Sequence, residues 1–125
     1  MYSNIAQIVA ANLKEIGIDV EIEVVEWGIW LDRVYFGRDY QMTTIDLTGR
    51  ASAYDILNDY ISTNESENFF KFKNAEYDKI VENVLKERDQ ATQIDYYHRA
   101  QEILAEQAAA VYIADYQVEP LQYLY

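Results

Sequence analysis

Residues 5–27 read IAQIVAANLKEIGIDVEIEVVEW and contain two hydrophobic patterns joined by one glycine. Before Gly17, apolar residues recur every three or four positions, which predicts an amphipathic helix. These apolar residues are Ile5, Ile8, Val9, Leu13 and Ile16. After Gly17, apolar residues alternate with Asp19, Glu21 and Glu23, which predicts a strand with one buried and one solvated face. A helix that ends at glycine and passes directly into a strand is typical of α/β units.

The rest of the chain continues this alternation of predicted helices and strands. Helices are predicted from Trp27 to a stop at Gly37, over residues 54–61, after a cap at Asn74 and after a cap at Thr92. Strands are predicted over residues 40–47 and 110–118, and the polar segment 62–68 predicts an exposed loop. The apolar stripe of the last helix contains Tyr96, Ala100, Ile103 and Leu104. We therefore expect one α/β domain over residues 1–125, with a mostly parallel sheet flanked by helices.

Composition excludes several classes of function. The 125 residues include 10 Lys and Arg against 22 Asp and Glu, a net charge of -12. This charge argues against unassisted nucleic-acid binding and against docking on anionic lipid. The chain has no Cys, so disulfide and thiolate chemistry are excluded. No apolar run approaches the ~20 residues that span a bilayer, so we expect no membrane insertion by this domain.

The residues that carry chemistry do not form a catalytic pattern. His98 is the only histidine and has no Ser or Cys partner in view. The acidic residues 19, 21 and 23 are spread along a straight segment, whereas calcium-type sites use a turning loop. We therefore expect no enzyme, no cofactor and no metal site. The 12 Tyr suit a binding surface or the packing of helices on a sheet, and both interpretations stay open.

Five strings, in order, resemble bacterial extracellular solute-binding proteins of the peptide/nickel class, which are receptors of ABC importers for di- and oligopeptides. The strings are residues 5–27, FGRDYQM at 36–42, LTGRASAYD at 47–55, NFFKFKNAEYDKIV at 68–81 and residues 88–116. The resemblance implies that the chain is the C-terminal lobe, a domain III fragment, of a longer receptor with a type II periplasmic-binding-protein fold. It also implies that the lobe's first strand lies before Met1.

The same resemblance implies a function and a location. The lobe would help to capture a peptide or related small solute by closure of two lobes, and the receptor would deliver it to a membrane permease. The full-length protein would be extracytoplasmic, either periplasmic or lipid-anchored at the outer face of the membrane. The N-terminal sequence has no basic region followed by an apolar core, so it does not predict a secretory signal.

Six residues are candidates for ligand binding: Trp27, Arg33, Asp46, Thr48, Gly49 and Arg50. By the resemblance, Trp27 matches a tryptophan that commonly lines the pocket in the family. Arg33 is a weaker match, which lies near where some relatives place a cleft cation. Arg50 is suited to bidentate pairing with a ligand carboxylate, and Asp46 is suited to a ligand amine. The alternatives are that Trp27 packs the second helix, that Arg50 is a solvated turn residue and that Asp46 is a cap or solvated group.

Two other classes of function remain. One is a stand-alone, Tyr-rich protein-interaction module that dimerises through an exposed sheet edge. The other is a small hydrolase, which ranks last because the chain offers one His and no Cys.

Overall fold

The computed structural model describes residues 2–47 and 49–114. Over these ranges the ordered elements are helices joined by turns and extended segments. The elements are α1 (Tyr2–Glu15), α2 (Trp27–Ile29), a π-helical segment (Trp30–Phe36), α3 (Ala53–Asn58), α4 (Ala75–Val84) and α5 (Gln90–Glu106). No helix in these ranges is both long enough and apolar enough to cross a bilayer.

The predicted α/β fold with a mostly parallel sheet is wrong for this part of the chain, which contains no strand. The predicted strands at 18–24 and 40–47 are neither helical nor paired with another segment. The predicted strand 110–118 is absent over 110–114, and its remainder lies outside the described residues. The physical reason is that alternation determines only which way side chains point, whereas a strand also needs a neighbour for its backbone hydrogen bonds. The apolar residues of 18–24 stay exposed for the same reason.

Helix α1 forms as predicted, but the residues of its apolar stripe are half-buried or exposed rather than fully buried. Gly17 has φ +83°, and the amides of Gly17 and Ile18 donate to the carbonyls of Lys14 and Leu13. This is the Schellman arrangement that ends many helices, so the predicted stop at Gly17 is confirmed. None of the residues of α1 is buried. A correct helical period therefore did not imply a core-facing helix here.

The π-helical segment ends at Gly37 because the backbone approaches this residue closely. The Gly37 amide donates to the carbonyl of Asp32 at 2.8 Å, five residues earlier. An added Cβ at Gly37 would lie 2.7 Å from the carbonyl oxygen of Arg33 and 2.8 Å from that of Asp32. Both atoms belong to the backbone and cannot rotate away, so this turn requires glycine.

We expect the Gly37→Ala substitution to lower the free energy of unfolding by about 1–3 kcal/mol, the usual cost of overpacking. Gly28→Ala is the matched control, because an added Cβ at Gly28 meets nothing within 4 Å and alanine favours a helix. Urea unfolding of both variants measures the difference. Equal stability of the two variants would contradict the close approach at Gly37.

Helices α3, α4 and α5 pack on one another and enclose the core. Its buried residues are Leu57, Tyr60, Ile61, Phe72, Tyr77, Val81, Ala100, Ile103 and Leu104. The predicted stripe of the last helix is confirmed at its three inner positions. The Tyr77 hydroxyl donates to the Leu57 carbonyl at 2.6 Å, which ties α4 to α3. Tyr60 and Tyr77 therefore pack the core rather than form a binding surface.

Side-chain caps define where these three helices begin. Ser52 and Asp55 form a reciprocal capping box at α3, which sequence reasoning missed. Asn74 accepts from the Tyr77 amide at 2.9 Å, so the predicted cap of α4 is confirmed. The predicted cap Thr92 is wrong by three residues, because the Asp89 carboxylate accepts from the amide of Thr92 and caps α5.

Candidate functional site

The cavity at the start and end of α3 is an open recess of ≈ 450 Å³, which we call the Arg50 recess. The capping box holds the turn before α3 in place, so Gly49 and Arg50 face the last turn of the same helix. The segment after α3 supplies the third side. The recess is lined by Gly49, Arg50, Ala51, Asp55, Asn58, Asp59 and Glu67.

Arg50 already has two carboxylate partners in this recess. Its Nε and Nη2 donate to Oδ2 of Asp59 at 3.2 and 3.0 Å. Nη2 also donates to Oε2 of Glu67 at 3.2 Å. The hydrogen bonds and charge of Asp59, followed by those of Glu67, raise the pKa of the guanidinium. The sequence did not indicate these contacts of Arg50 with Asp59 and Glu67.

The two carboxylates differ in their surroundings. The Asp59 side chain is 13% exposed, whereas that of Glu67 is 40% exposed. Burial raises the pKa of Asp59, and the hydrogen bond from Arg50 opposes this shift. Asp59 is therefore the more deeply seated partner of Arg50, and Glu67 is the more accessible one.

Tyr35 is a second donor to Glu67. Its hydroxyl donates to Oε2 of Glu67 at 3.0 Å, the same oxygen that accepts from Arg50. Burial, and then this hydrogen bond, raise the pKa of the Tyr35 phenol, which therefore stays protonated at neutral pH. One oxygen of Glu67 thus accepts hydrogen bonds from both a phenol and a guanidinium.

Charge determines what the recess is able to bind. Its lining carries one cation, Arg50, and three carboxylates, of Asp55, Asp59 and Glu67. Arg50 is the group suited to a ligand carboxylate, while backbone groups at Gly49 suit neutral polar atoms of a ligand. Across residues 2–47 and 49–114, no group of three or more His, Cys, Asp or Glu is arranged to hold a metal ion.

Trp27 and Arg33 do not line the recess. The Trp27 side chain is 61% exposed and stacks on Trp30, with ring centroids 5.2 Å apart and planes 6° from parallel. Arg33 donates to the Glu23 carboxylate from both terminal nitrogens, at 2.8 and 3.4 Å. Arg33 is therefore engaged in a surface ion pair away from Arg50.

The remaining candidates are placed as follows. Asp46 accepts a hydrogen bond from the Tyr2 hydroxyl, which ties the start of α1 to the segment before the recess. Gly49 lines the recess beside Arg50. Thr48 lies outside the described residues. Of the five candidates that lie within residues 2–47 and 49–114, the structure brings together Gly49 and Arg50.

Aromatic rings connect the exposed face of Trp27, which we call the Trp27 surface, to the Arg50 recess. Trp30 lies 6.0 Å from Tyr35 between ring centroids, and the Tyr35 hydroxyl reaches Glu67. Sequence reasoning missed Tyr35, Asp59 and Glu67 as partners of the site. The only signal was indirect, since all three are polar groups near predicted helix ends and loops.

Comparison with known proteins supplies one similarity. The chain is 26% identical over 123 residues to the dipeptide-binding protein DppE of Bacillus subtilis (strain 168). The match covers 97% of this chain and 22% of DppE, so the chain spans about a fifth of that relative's length. No family model matches the chain. The similarity is therefore to one stretch of a protein named for binding dipeptides.

Proposed function

We propose that this chain is a ligand-contacting lobe of an extracytoplasmic receptor that captures peptides, or related small solutes, for an ABC permease. The similarity to a dipeptide-binding protein over nearly the whole chain carries the proposal. In this proposal, a second lobe outside the chain closes over the ligand by hinge motion. The lobe itself performs no chemical step; it orients the ligand and excludes water from it.

The Arg50 recess and the Trp27 surface give this proposal its chemistry. The guanidinium of Arg50 pairs with the ligand carboxylate, and the backbone at Gly49 contacts neutral polar atoms. The exposed ring of Trp27 contacts an apolar or aromatic side chain of the ligand. Trp30 and Tyr35 connect Trp27 to the recess through ring contacts, with centroids 5.2 Å apart for Trp27 and Trp30 and 6.0 Å apart for Trp30 and Tyr35. The recess is polar and Trp27 is apolar, as expected for an amphipathic ligand such as a short peptide.

The test is a titration of the protein with the dipeptide alanyl-phenylalanine, followed by NMR at the Arg50 Nε–H and the Trp27 indole N–H. We expect millimolar binding that shifts both signals, because one lobe offers only part of a cleft. Arg50→Ala, followed at the Trp27 indole N–H, should weaken dipeptide binding about tenfold, since a charged hydrogen bond is lost. The C-terminal amide of the same dipeptide lacks the carboxylate and should bind wild type and Arg50→Ala equally.

Arg99→Ala is the matched control for the loss of an ion-paired arginine. Arg99 contacts Glu76 at 3.0 Å and does not line the recess. This variant should bind the dipeptide as wild type does. If neither the Arg50 nor the Trp27 signal shifts at the highest dipeptide concentration that dissolves, the proposed function is rejected.

A further inference from the structure

We propose that Glu67 is an internal competitor for Arg50, so that a ligand carboxylate pairs with both Nη1 and Nη2 only by displacing it. This inference rests on the proposed function and names the residue that sets the recess's selectivity. Nη2 of Arg50 is shared between Oδ2 of Asp59 and Oε2 of Glu67. A ligand carboxylate that pairs bidentately with Nη1 and Nη2 therefore meets a position on Nη2 that Glu67 already takes.

Geometry identifies Glu67, and not Asp59, as the exchangeable partner. Asp59 accepts two hydrogen bonds from Arg50, at 3.2 and 3.0 Å, and its side chain is largely buried. Glu67 accepts one, at 3.2 Å, and is the more exposed carboxylate. An exposed ion pair with one contact is weak and exchanges readily with water or with another anion. Asp59 thus orients the guanidinium, while Glu67 occupies the place of a ligand.

Tyr35 makes this competition stronger than a free side chain would. Its hydroxyl donates to the same Glu67 oxygen at 3.0 Å and restricts the rotation of the carboxylate. A competitor that is already ordered loses little entropy when it pairs with Arg50. When a ligand displaces Glu67, the Tyr35 hydroxyl can keep the carboxylate as its acceptor.

The experiment uses acetate as a probe of Arg50 alone and alanyl-phenylalanine as a probe of the proposed function. Wild type, Glu67→Gln, Tyr35→Phe and Glu76→Gln are titrated at neutral pH with the Arg50 Nε–H as the NMR signal. Glu67→Gln should bind both probes about threefold more tightly, because a neutral amide competes less for the guanidinium. Tyr35→Phe should shift affinity in the same direction without any change of charge. Glu76→Gln removes the same charge beside Arg99 and should match wild type.

The outcomes separate the two proposals. If acetate binds Glu67→Gln more tightly but the dipeptide binds no variant, the competition is supported and the peptide function fails. If the dipeptide binds wild type and Glu67→Gln equally, the competition is overturned and the function stands. A gain in Glu67→Gln without one in Tyr35→Phe would mean that removal of local charge alone acts, which also overturns it. The competition is overturned as well if neither probe shifts Arg50 in any variant.

Discussion

Replacing Asn68 by alanine is expected to lower the free energy of unfolding by about 3 kcal/mol or more. Asn68 is 7% exposed, and its side chain makes hydrogen bonds to backbone groups. Nδ2 faces the carbonyls of Phe72, Ile61 and Tyr60 at 2.8, 3.2 and 3.4 Å, while Oδ1 accepts from the Phe72 amide at 3.2 Å. Alanine would leave these buried groups without that partner, and each such group carries a desolvation penalty. Urea unfolding followed by circular dichroism measures the loss.

Two further variants make the Asn68 prediction specific. Asn68→Asp keeps an acceptor but turns an oxygen toward three carbonyl oxygens, so it should be at least as destabilising as Asn68→Ala. Asn12→Ala is the matched control, since Asn12 is exposed on α1 and alanine is the better helix former. It should stay within about 0.5 kcal/mol of wild type. A similarly small change for Asn68→Ala would show that the hydrogen bonds of Asn68 do not stabilise the fold.

Asn68 also shows why the candidate site could not be fully predicted. The segment 62–68 is polar, and polarity alone predicts an exposed loop, yet the structure buries the last residue of that segment. By holding the backbone of residues 60, 61 and 72, Asn68 determines how this segment folds back and therefore where Glu67 lies. Arg50 was found through a family resemblance, but its partners are nine and seventeen residues away, with no periodic signal. With 22 acidic residues, no local rule distinguishes Asp59 and Glu67 from the others.

The fold was predictable where the information is local. The stops at Gly17 and Gly37 and the cap at Asn74 depend on a few neighbouring residues, and all three are confirmed. The sheet was wrong because a strand depends on a partner that alternation does not supply. The helical periods of α1 and α5 are both clear in the sequence. Of these two helices, α5 has buried residues and α1 has none. Period thus identified helices correctly without showing which of them are buried.

This difference between α1 and α5 leads to a second large effect. Ile103→Ala on α5 should lower the free energy of unfolding by about 2–5 kcal/mol, because the lost side chain leaves a cavity among α3, α4 and α5. Ile103 is 1% exposed and belongs to the core cluster. Thermal and urea unfolding, monitored by circular dichroism at helical wavelengths, measure the change.

Ile8→Ala on α1 is the matched control for Ile103→Ala. Both isoleucines belong to apolar stripes that the sequence predicts by the same spacing, and both substitutions remove the same atoms. Ile8 is 63% exposed, so its loss should change stability by no more than about 0.5 kcal/mol. If Ile8→Ala were as destabilising as Ile103→Ala, Ile8 would be buried against the rest of the protein, contrary to its exposed position on α1. A large effect at Ile103 alone would instead place the stabilising core in the three helices that also position Asp59 and the Arg50 recess.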